Sequence, residues 1–370
     1  MCGIAGHNSK TSNNVAENIS ALREMMELMH SRGPDAKGEY LSNCKRTILG
    51  HRRLAILDLD KRSNQPFSSD DERYTIIFNG EIYNYRELRK KYLNQQVFTG
   101  ESDTEVILKL FIRKGVASLN LLRGMFAIVI WDNYEKTLTL ARDPYGIKPL
   151  YYVKNENGFS FCSQVKPLVK SMPNLRSIEP AGLVGFYLWG NIPEPWTLYK
   201  NLMSLPKGSY MKVKDGEIVE SRKWCNLSDI WTEQNPSPKD AQEIIADSVS
   251  GSVKSHLVSD VPVCVFLSAG IDSCTVASLA SEEISDIEGI TVSFEEFKST
   301  SEDEFPLAKL AADKFNIKSF ERHVTKGEFI TEVPKILDCM DQPSIDGINT
   351  WFVSKATKER GYKVALSGVG

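Results

Sequence analysis

From about residue 240 onward, the chain alternates short apolar runs with helical stretches, and this order constrains the fold more than any other feature. A helical stretch at 240–258 leads into the apolar run Val261-Pro262-Val263-Cys264-Val265-Phe266-Leu267, a turn of small residues and a helix at 273–283. Strands at 289–294, 318–324 and 363–366 then alternate with helices at 305–315, 327–340 and 348–360. Parallel strands cannot be joined by tight turns and need crossovers, so this alternation predicts an α/β domain built on a parallel sheet. The first half has a different rhythm. Short β-branched or apolar runs at 46–58, 73–83, 126–131, 137–141 and 158–162 are closed by polar turn residues, and helical signals sit at 15–30 and 103–114. That pattern predicts an α+β domain of stacked, largely antiparallel sheets. At 370 residues the chain exceeds what one core usually serves, in keeping with two domains.

Composition narrows the class. The formal net charge is −3 and no basic tract stands out, which disfavours nucleic acid or an anionic membrane as the main partner. No run approaches the roughly 18 apolar residues of a membrane span. The start, Met1-Cys2-Gly3-Ile4-Ala5-Gly6-His7-Asn8, lacks the charged and apolar regions of a secretory signal. Seven scattered cysteines, with no CxxC pair and no zinc spacing, read as reduced thiols of a cytoplasmic protein. The chain stops at Ser367-Gly368-Val369-Gly370, where a strand should hand over to a loop and another helix, and this reads as an incomplete domain.

Cys2 is the first chemical signal. A small side chain after Met1 permits Met removal, and a free α-amine could then accept the thiol proton. The segments that follow give the cysteine its context. Cys2-Gly3-Ile4-Ala5-Gly6, Arg32-Gly33-Pro34-Asp35, and His51-Arg52-Arg53-Leu54-Ala55-Ile56-Leu57-Asp58 with Gln65-Pro66 come first. Phe78-Asn79-Gly80-Glu81-Ile82-Tyr83-Asn84 and Ser102-Asp103-Thr104-Glu105 follow. In that order and spacing the set resembles the class II glutamine amidotransferases, whose N-terminal cysteine hydrolyses glutamine.

The resemblance implies roles that the residue types suit. Arg53 would fork the α-carboxylate of glutamine, while Leu54, Ala55, Ile56 and Leu57 of the same segment would line it. Glu81 and Asp103 would accept the α-ammonium, and the Asn79 side chain with the Gly80 N–H would face the developing oxyanion. Taken alone, Asn79-Gly80 also reads as a tight hairpin turn and Asp103 as a helix cap. Ala141-Arg142-Asp143-Pro144-Tyr145-Gly146-Ile147-Lys148-Pro149-Leu150-Tyr151-Tyr152 matches a further family segment and is read as structural support. At Ser163-Gln164-Val165-Lys166 the family usually has Glu in the place of Gln164.

The second signal is Leu267-Ser268-Ala269-Gly270-Ile271-Asp272-Ser273, after an apolar strand and at the opening of a helix. Small residues let backbone wrap an anion, and a helix start offers free N–H groups and a positive dipole end. No G-K-[ST] follows, so this is not a Walker loop. It resembles the SGGxDS loop of the PP-loop ATP pyrophosphatases, with Ala269 in place of a glycine. The resemblance implies ATP bound by Phe266, Ser268, Ala269, Gly270, Ile271, Asp272, Ser273, Val292, Ser367 and Gly368, with Asp272 holding Mg2+.

Together the motifs resemble the glutamine-hydrolysing asparagine synthetases over nearly the whole chain. The implied domains are a glutaminase over 2–170, a connecting segment with some hairpins over 171–239 and an ATP-pyrophosphatase domain over 240–370. The implied reaction takes ammonia from glutamine and uses it to amidate a carboxylate activated as an acyl-adenylate. Aspartate is the default acceptor. Position 369 is Val, where some asparagine synthetases carry an acidic residue, so a sugar uronate in surface-polysaccharide synthesis stays open as a rival. The partners are then small molecules, and the family leaves room for a homodimer. A non-catalytic glutamine-binding regulator should show a broken nucleophile or binding set, and this set is intact.

Overall fold

The computed structural model describes residues 1–231 and 237–368. It divides into two units, Met1–Gln234 and Asn235–Gly370.

The first unit runs β1 (Gly3–Ser9), α1 (Val15–Leu28), β2 (Ala36–Leu41), β3 (Thr47–Arg53), β4 (Phe67–Ser68), β5 (Tyr74–Ile82), α2 (Tyr85–Tyr92), α3 (Asp103–Lys114), β6 (Gly124–Asp132) and β7 (Thr137–Arg142). It continues through β8 (Tyr151–Asn155), β9 (Gly158–Cys162), α4 (Val165–Ser171), α5 (Pro180–Trp189), β10 (Leu202–Ser204), β11 (Ser209–Lys214), β12 (Glu217–Lys223) and α6 (Leu227–Trp231). Among the described residues these strands make two sheets, ordered β10-β8-β9-β1-β3-β2 and β12-β11-β7-β6-β5-β4. Their neighbours pair antiparallel, as expected.

Period-two alternation decides what each strand buries. Ile4, Leu49, Phe159 and Phe161 of the first sheet pack against Ile77, Val129, Trp131, Leu138 and Met211 of the second, forming the core between the sheets. Their alternates Ala5, Ile48 and Cys162 face the other way, onto Leu22, Met25 and Met26 of α1 and Leu168 of α4. With both faces covered, β1 and β3 are buried at every position. Residues 171–239, expected as a connecting segment, contribute more than hairpins: β10 extends the first sheet beside β8, and β11 and β12 extend the second beside β7.

The second unit runs α7 (Pro238–His256), β13 (Val263–Phe266), α8 (Ile271–Glu283), β14 (Glu288–Phe294), α9 (Phe305–Lys314), β15 (Lys318–Val324), α10 (Lys326–Cys339), α11 (Gly347–Glu359) and β16 (Val364–Leu366). The sheet is parallel, in the order β15-β14-β13-β16. Val265 and Leu267 pack with Ala277 and Ala280 of α8 and Ala308 and Ala312 of α9 on one face. Cys264 and Ile290 meet Ala356 of α11 on the other. Because β14 lies on one side of β13 and β16 on the other, the crossover direction reverses at β13. In open α/β sheets a ligand crevice opens at such a point, beyond the carboxyl ends of the strands. Among the described residues, no helix is long and apolar enough to cross a membrane.

Candidate functional site

Cys2 directly precedes β1, and the fold fixes it from several sides. Ser163 takes the Ile4 N–H on its hydroxyl at 3.0 Å and gives its own N–H to the Ile4 carbonyl at 2.8 Å. Arg32 Nε donates to the Cys2 carbonyl at 3.0 Å. The half-buried thiol receives the Leu54 N–H at 3.5 Å. Asp35 in turn holds the loop after β3, its Oδ2 accepting the Ala55 N–H at 2.8 Å. The thiol opens onto a cavity of about 60 Å³, room for a small molecule only. Cys2, Arg53, Leu54, Ile56, Leu57, Asn79, Gly80, Glu81 and Asp103 line it together. Ala55 is not among the lining residues, since its N–H is turned to Asp35.

Asn79 and Gly80 lie inside β5, opposite Ala127 and Phe126 of β6, so they are not a hairpin turn. Gly80 is dictated by that neighbour: a Cβ there would stand 2.2 Å from the Met125 carbonyl oxygen. The Asn79 side chain is fully buried, and among the described residues neither its Nδ2 nor its Oδ1 has a hydrogen-bond partner. An orphaned buried amide costs on the order of 1–3 kcal/mol, so the fold retains here a polar group whose partner has to come from a ligand or water.

The charges around the cavity are tuned mainly by burial. Burial pushes the Cys2 thiol up, opposed by the α-amine, the Leu54 N–H, Arg53 and Arg32. The same burial brings the Met1 α-amine down to about 6, with Arg32 and Lys148 also lowering it. It is the α-amine of Cys2, free once Met1 is removed, that would be the base for the thiol. Asp103, at the start of α3, accepts the Ile82 N–H at 2.9 Å, and burial followed by the Glu81 charge raises it to about 7. Glu81 is raised by burial, with Lys148 and the α-amine pulling it back.

Sequence reasoning missed Lys148. The buried Asp143 carboxylate collects the N–H groups of Phe126 at 3.2 Å and of Tyr145, Ile147 and Lys148 at 3.0 Å. This folds the segment read as structural support and turns the Lys148 side chain into the cavity. There it is only 6% exposed, and it makes no hydrogen bond or ion pair with the described residues. Burial lowers its pKa, against the Glu81 charge. The only signal in the sequence was a lysine closing an Asp-Pro turn. Arg53 is the second surprise. It lines the cavity, yet its terminal nitrogens donate to Asp60 O at 2.8 Å, Asn64 Oδ1 at 2.8 Å, Leu57 O at 3.2 Å and Asp58 O. The expected carboxylate fork here holds the loop that follows it.

The second unit has its own cavity, about 830 Å³, within the range that takes nucleotide-sized ligands. It opens at the carboxyl ends of the strands and is lined by Phe266, Ser268, Gly270, Asp272, Ser273, Val292, Ser367 and Gly368. Ala269 and Ile271 do not line it, and Ile271 is 85% exposed. The loop is braced from within: Ser268 Oγ and Ser273 Oγ are 2.8 Å apart, and the Gly270 N–H donates to Ser268 Oγ at 3.1 Å. Thr291 Oγ1 ties β14 to the loop through the Leu267 carbonyl at 2.7 Å. Helix α8 begins at Ile271 and directs its free N–H groups toward the crevice, which suits a phosphate chain. Among the described residues no three His, Cys, Asp or Glu side chains gather as a metal site. Asp272 shares the lining of this cavity with Glu302, Asp303 and Glu304. Val369 and Gly370, where the acceptor question arose, lie outside the described residues.

Comparison with known proteins places both halves. The glutamine amidotransferase domain family matches residues 1–225, and the asparagine synthase family matches residues 245–370. The glutamine-hydrolyzing asparagine synthetase 1 of Bacillus subtilis is 35% identical, the alignment covering 100% of this chain and 58% of that protein. A putative glutamine-hydrolyzing asparagine synthetase 2 of Methanocaldococcus jannaschii is 32% identical, over 100% of this chain and 74% of that one. The amidase chry2 of Gibberella zeae is 28% identical, over 100% and 58%. The chain thus spans 58% of the length of two of these relatives.

Proposed function

The chain belongs to the glutamine-hydrolysing asparagine synthetase family, and from that premise we propose that it carries out glutamine-dependent, ATP-driven amidation of a carboxylate, with aspartate as the acceptor and asparagine as the product. The observation that carries the reading is the unpartnered Asn79 amide lining the same small cavity as the Cys2 thiol.

In this reading Met1 is removed, the α-amine of Cys2 takes the thiol proton, and the thiolate attacks the side-chain amide carbonyl of glutamine. Asn79 Nδ2 and the Gly80 N–H stabilise the oxyanion, ammonia leaves, and water cleaves the thioester to give glutamate. Glu81 and Asp103 hold the α-ammonium. Arg53 takes the α-carboxylate by exchanging some of its loop oxygens for it, and Lys148 adds a second positive charge to the cavity. In the second unit, ATP lies along the Ser268–Ser273 loop with its phosphates at the start of α8. The acceptor carboxylate displaces pyrophosphate to form an acyl-adenylate, and ammonia then displaces AMP. Mg2+ held by Asp272 would neutralise phosphate charge. The cysteines, all free among the described residues, fit a cytoplasmic enzyme. Val369, where some asparagine synthetases carry an acidic residue, supports a second reading in which the acceptor is another carboxylate, such as a sugar uronate, and two relatives are named amidases rather than asparagine synthetases.

Cys2→Ala tests the reading. It should take glutamine-dependent amide formation to background while amide formation from added ammonium salt persists. Loss of both together would contradict separate sites for the two half-reactions.

A further inference from the structure

The hydrogen-bond ladder along β5 stops just short of the residues that line the cavity. On one edge, β4 pairs only Phe67 with Ile76 and Ser68 with Thr75. Beyond that point the same edge of β5 would present the N–H and carbonyl of Phe78 to nothing, because in an antiparallel strand residues two apart direct their peptide groups to the same side. Two side chains fill the gap. Gln65 Oε1 accepts the Phe78 N–H at 2.6 Å, and His51 Nε2 meets the Phe78 carbonyl at 3.1 Å. A carbonyl oxygen carries no proton, so the imidazole must be the donor, with its hydrogen on Nε2. His51 is fully buried on β3, and burial lowers it to about 3, so it stays neutral and keeps this donor across the working pH range. Gln65 continues the chain, its Nε2 donating to Thr104 Oγ1 at 3.2 Å in the first turn of α3.

We propose that His51 and Gln65 are positioning residues of the glutaminase site, clamping the Phe78 peptide so that the adjacent Asn79 amide is held aimed at the substrate carbonyl. The inference rests on the glutaminase reading given above. The clamp connects the three elements that carry the site: β3 with Arg53, α3 with Asp103, and β5 with Asn79, Gly80 and Glu81. Asn79 has no side-chain partner of its own among the described residues. Its direction is therefore set by its backbone, and the backbone at this point is held by the two clamp side chains on one edge and β6 on the other.

The test compares His51→Phe, which keeps a ring without the donor, with His51→Gln, which restores a donor, and with Gln65→Met, which removes the acceptor. In the full-length protein, glutamine hydrolysis, ammonia-dependent amidation and the rate of Cys2 alkylation by iodoacetamide are measured. His51→Phe and Gln65→Met should lower the kcat of glutamine hydrolysis by about 10–100-fold, the scale set by a misplaced oxyanion donor. In His51→Phe, KM, alkylation and ammonia-dependent amidation should stay close to wild type, and His51→Gln should recover most of the kcat. Gln65 itself lines the cavity, so for Gln65→Met only the ammonia-dependent amidation is expected to stay close to wild type. In an Asn79→Ala background, His51→Phe should add no further loss, because it acts through the group already removed. An unchanged kcat in His51→Phe would overturn the clamp. So would equal loss in the Phe and Gln variants, a full additional loss on top of Asn79→Ala, or alkylation and KM falling in step with kcat. A wild-type protein that releases no ammonia from glutamine would overturn the glutaminase reading itself, and the clamp with it.

Discussion

Asp103 begins α3 with its carboxylate against the Ile82 N–H and out of water, and its pKa of about 7 stands well above the ordinary value of 3.8. The linkage has a definite sign. Between those two values the folded protein keeps a proton that the unfolded chain has released, so stability falls as pH rises through the window and levels off above about 7. Asp103→Asn can still accept the Ile82 N–H but never ionises. Urea unfolding should therefore show the variant more stable than wild type at about pH 8, by a few kcal/mol, with the difference vanishing near pH 4. A wild-type stability flat across the window would contradict the assignment. The same titration should favour glutamine binding on the alkaline side, where the carboxylate is charged and can hold an ammonium.

Single residues were unevenly legible. Cys2, Asn79, Glu81 and Asp103 stood out because their motifs carry reactive or charged groups in fixed order. Lys148 did not, because the Asp143 carboxylate that turns it inward gathers N–H groups from β6 as well as from its own turn, a contact no local pattern records. The engagement of His51 and Gln65 with Phe78 is likewise tertiary, while that of Arg53 depends on the path of the irregular loop that follows it.

At the scale of elements, the strands that sequence reasoning found are those with apolar or β-branched runs, β3, β6 and β9 among them, even where both faces are buried. Strand β1 escaped it because Gly3–Ser9 mixes two glycines with His7, Asn8 and Ser9, and so shows neither alternation nor an apolar run although every position is buried. In 171–239 only connecting structure with some hairpins was expected, because its Pro- and Gly-rich turns suggested linkage; the β11–β12 hairpin fits that, while β10 and β11 also pair with β8 and β7, far back in the chain. The nucleotide loop was legible as a strand, a small-residue turn and a helix start. What the structure adds is the closeness of the β16 loop: a Cβ on Gly368 would stand 2.6 Å from the Ser273 nitrogen, at the first turn of α8. Gly368→Ala must therefore push the helix start or the β16 loop aside. It should raise the KM for ATP by about tenfold or more while leaving glutamine hydrolysis unchanged. An unaltered ATP dependence would mean that phosphates are held elsewhere.

At the scale of the whole molecule, the proposed function gives one half-reaction to each of the two units. One holds a cysteine and an orphaned amide on a small cavity; the other has a helix start beside a larger crevice. In the proposed function, ammonia released at the first would serve a carboxylate activated at the second. The most direct test gives the full-length protein amide-¹⁵N glutamine, ATP, Mg2+ and aspartate and follows the label by NMR while pyrophosphate is assayed. The account predicts ¹⁵N-amide asparagine and pyrophosphate in equal amounts. Labelled ammonia accumulating without asparagine or pyrophosphate would contradict aspartate as the acceptor, and label remaining in glutamine would contradict the account at its root.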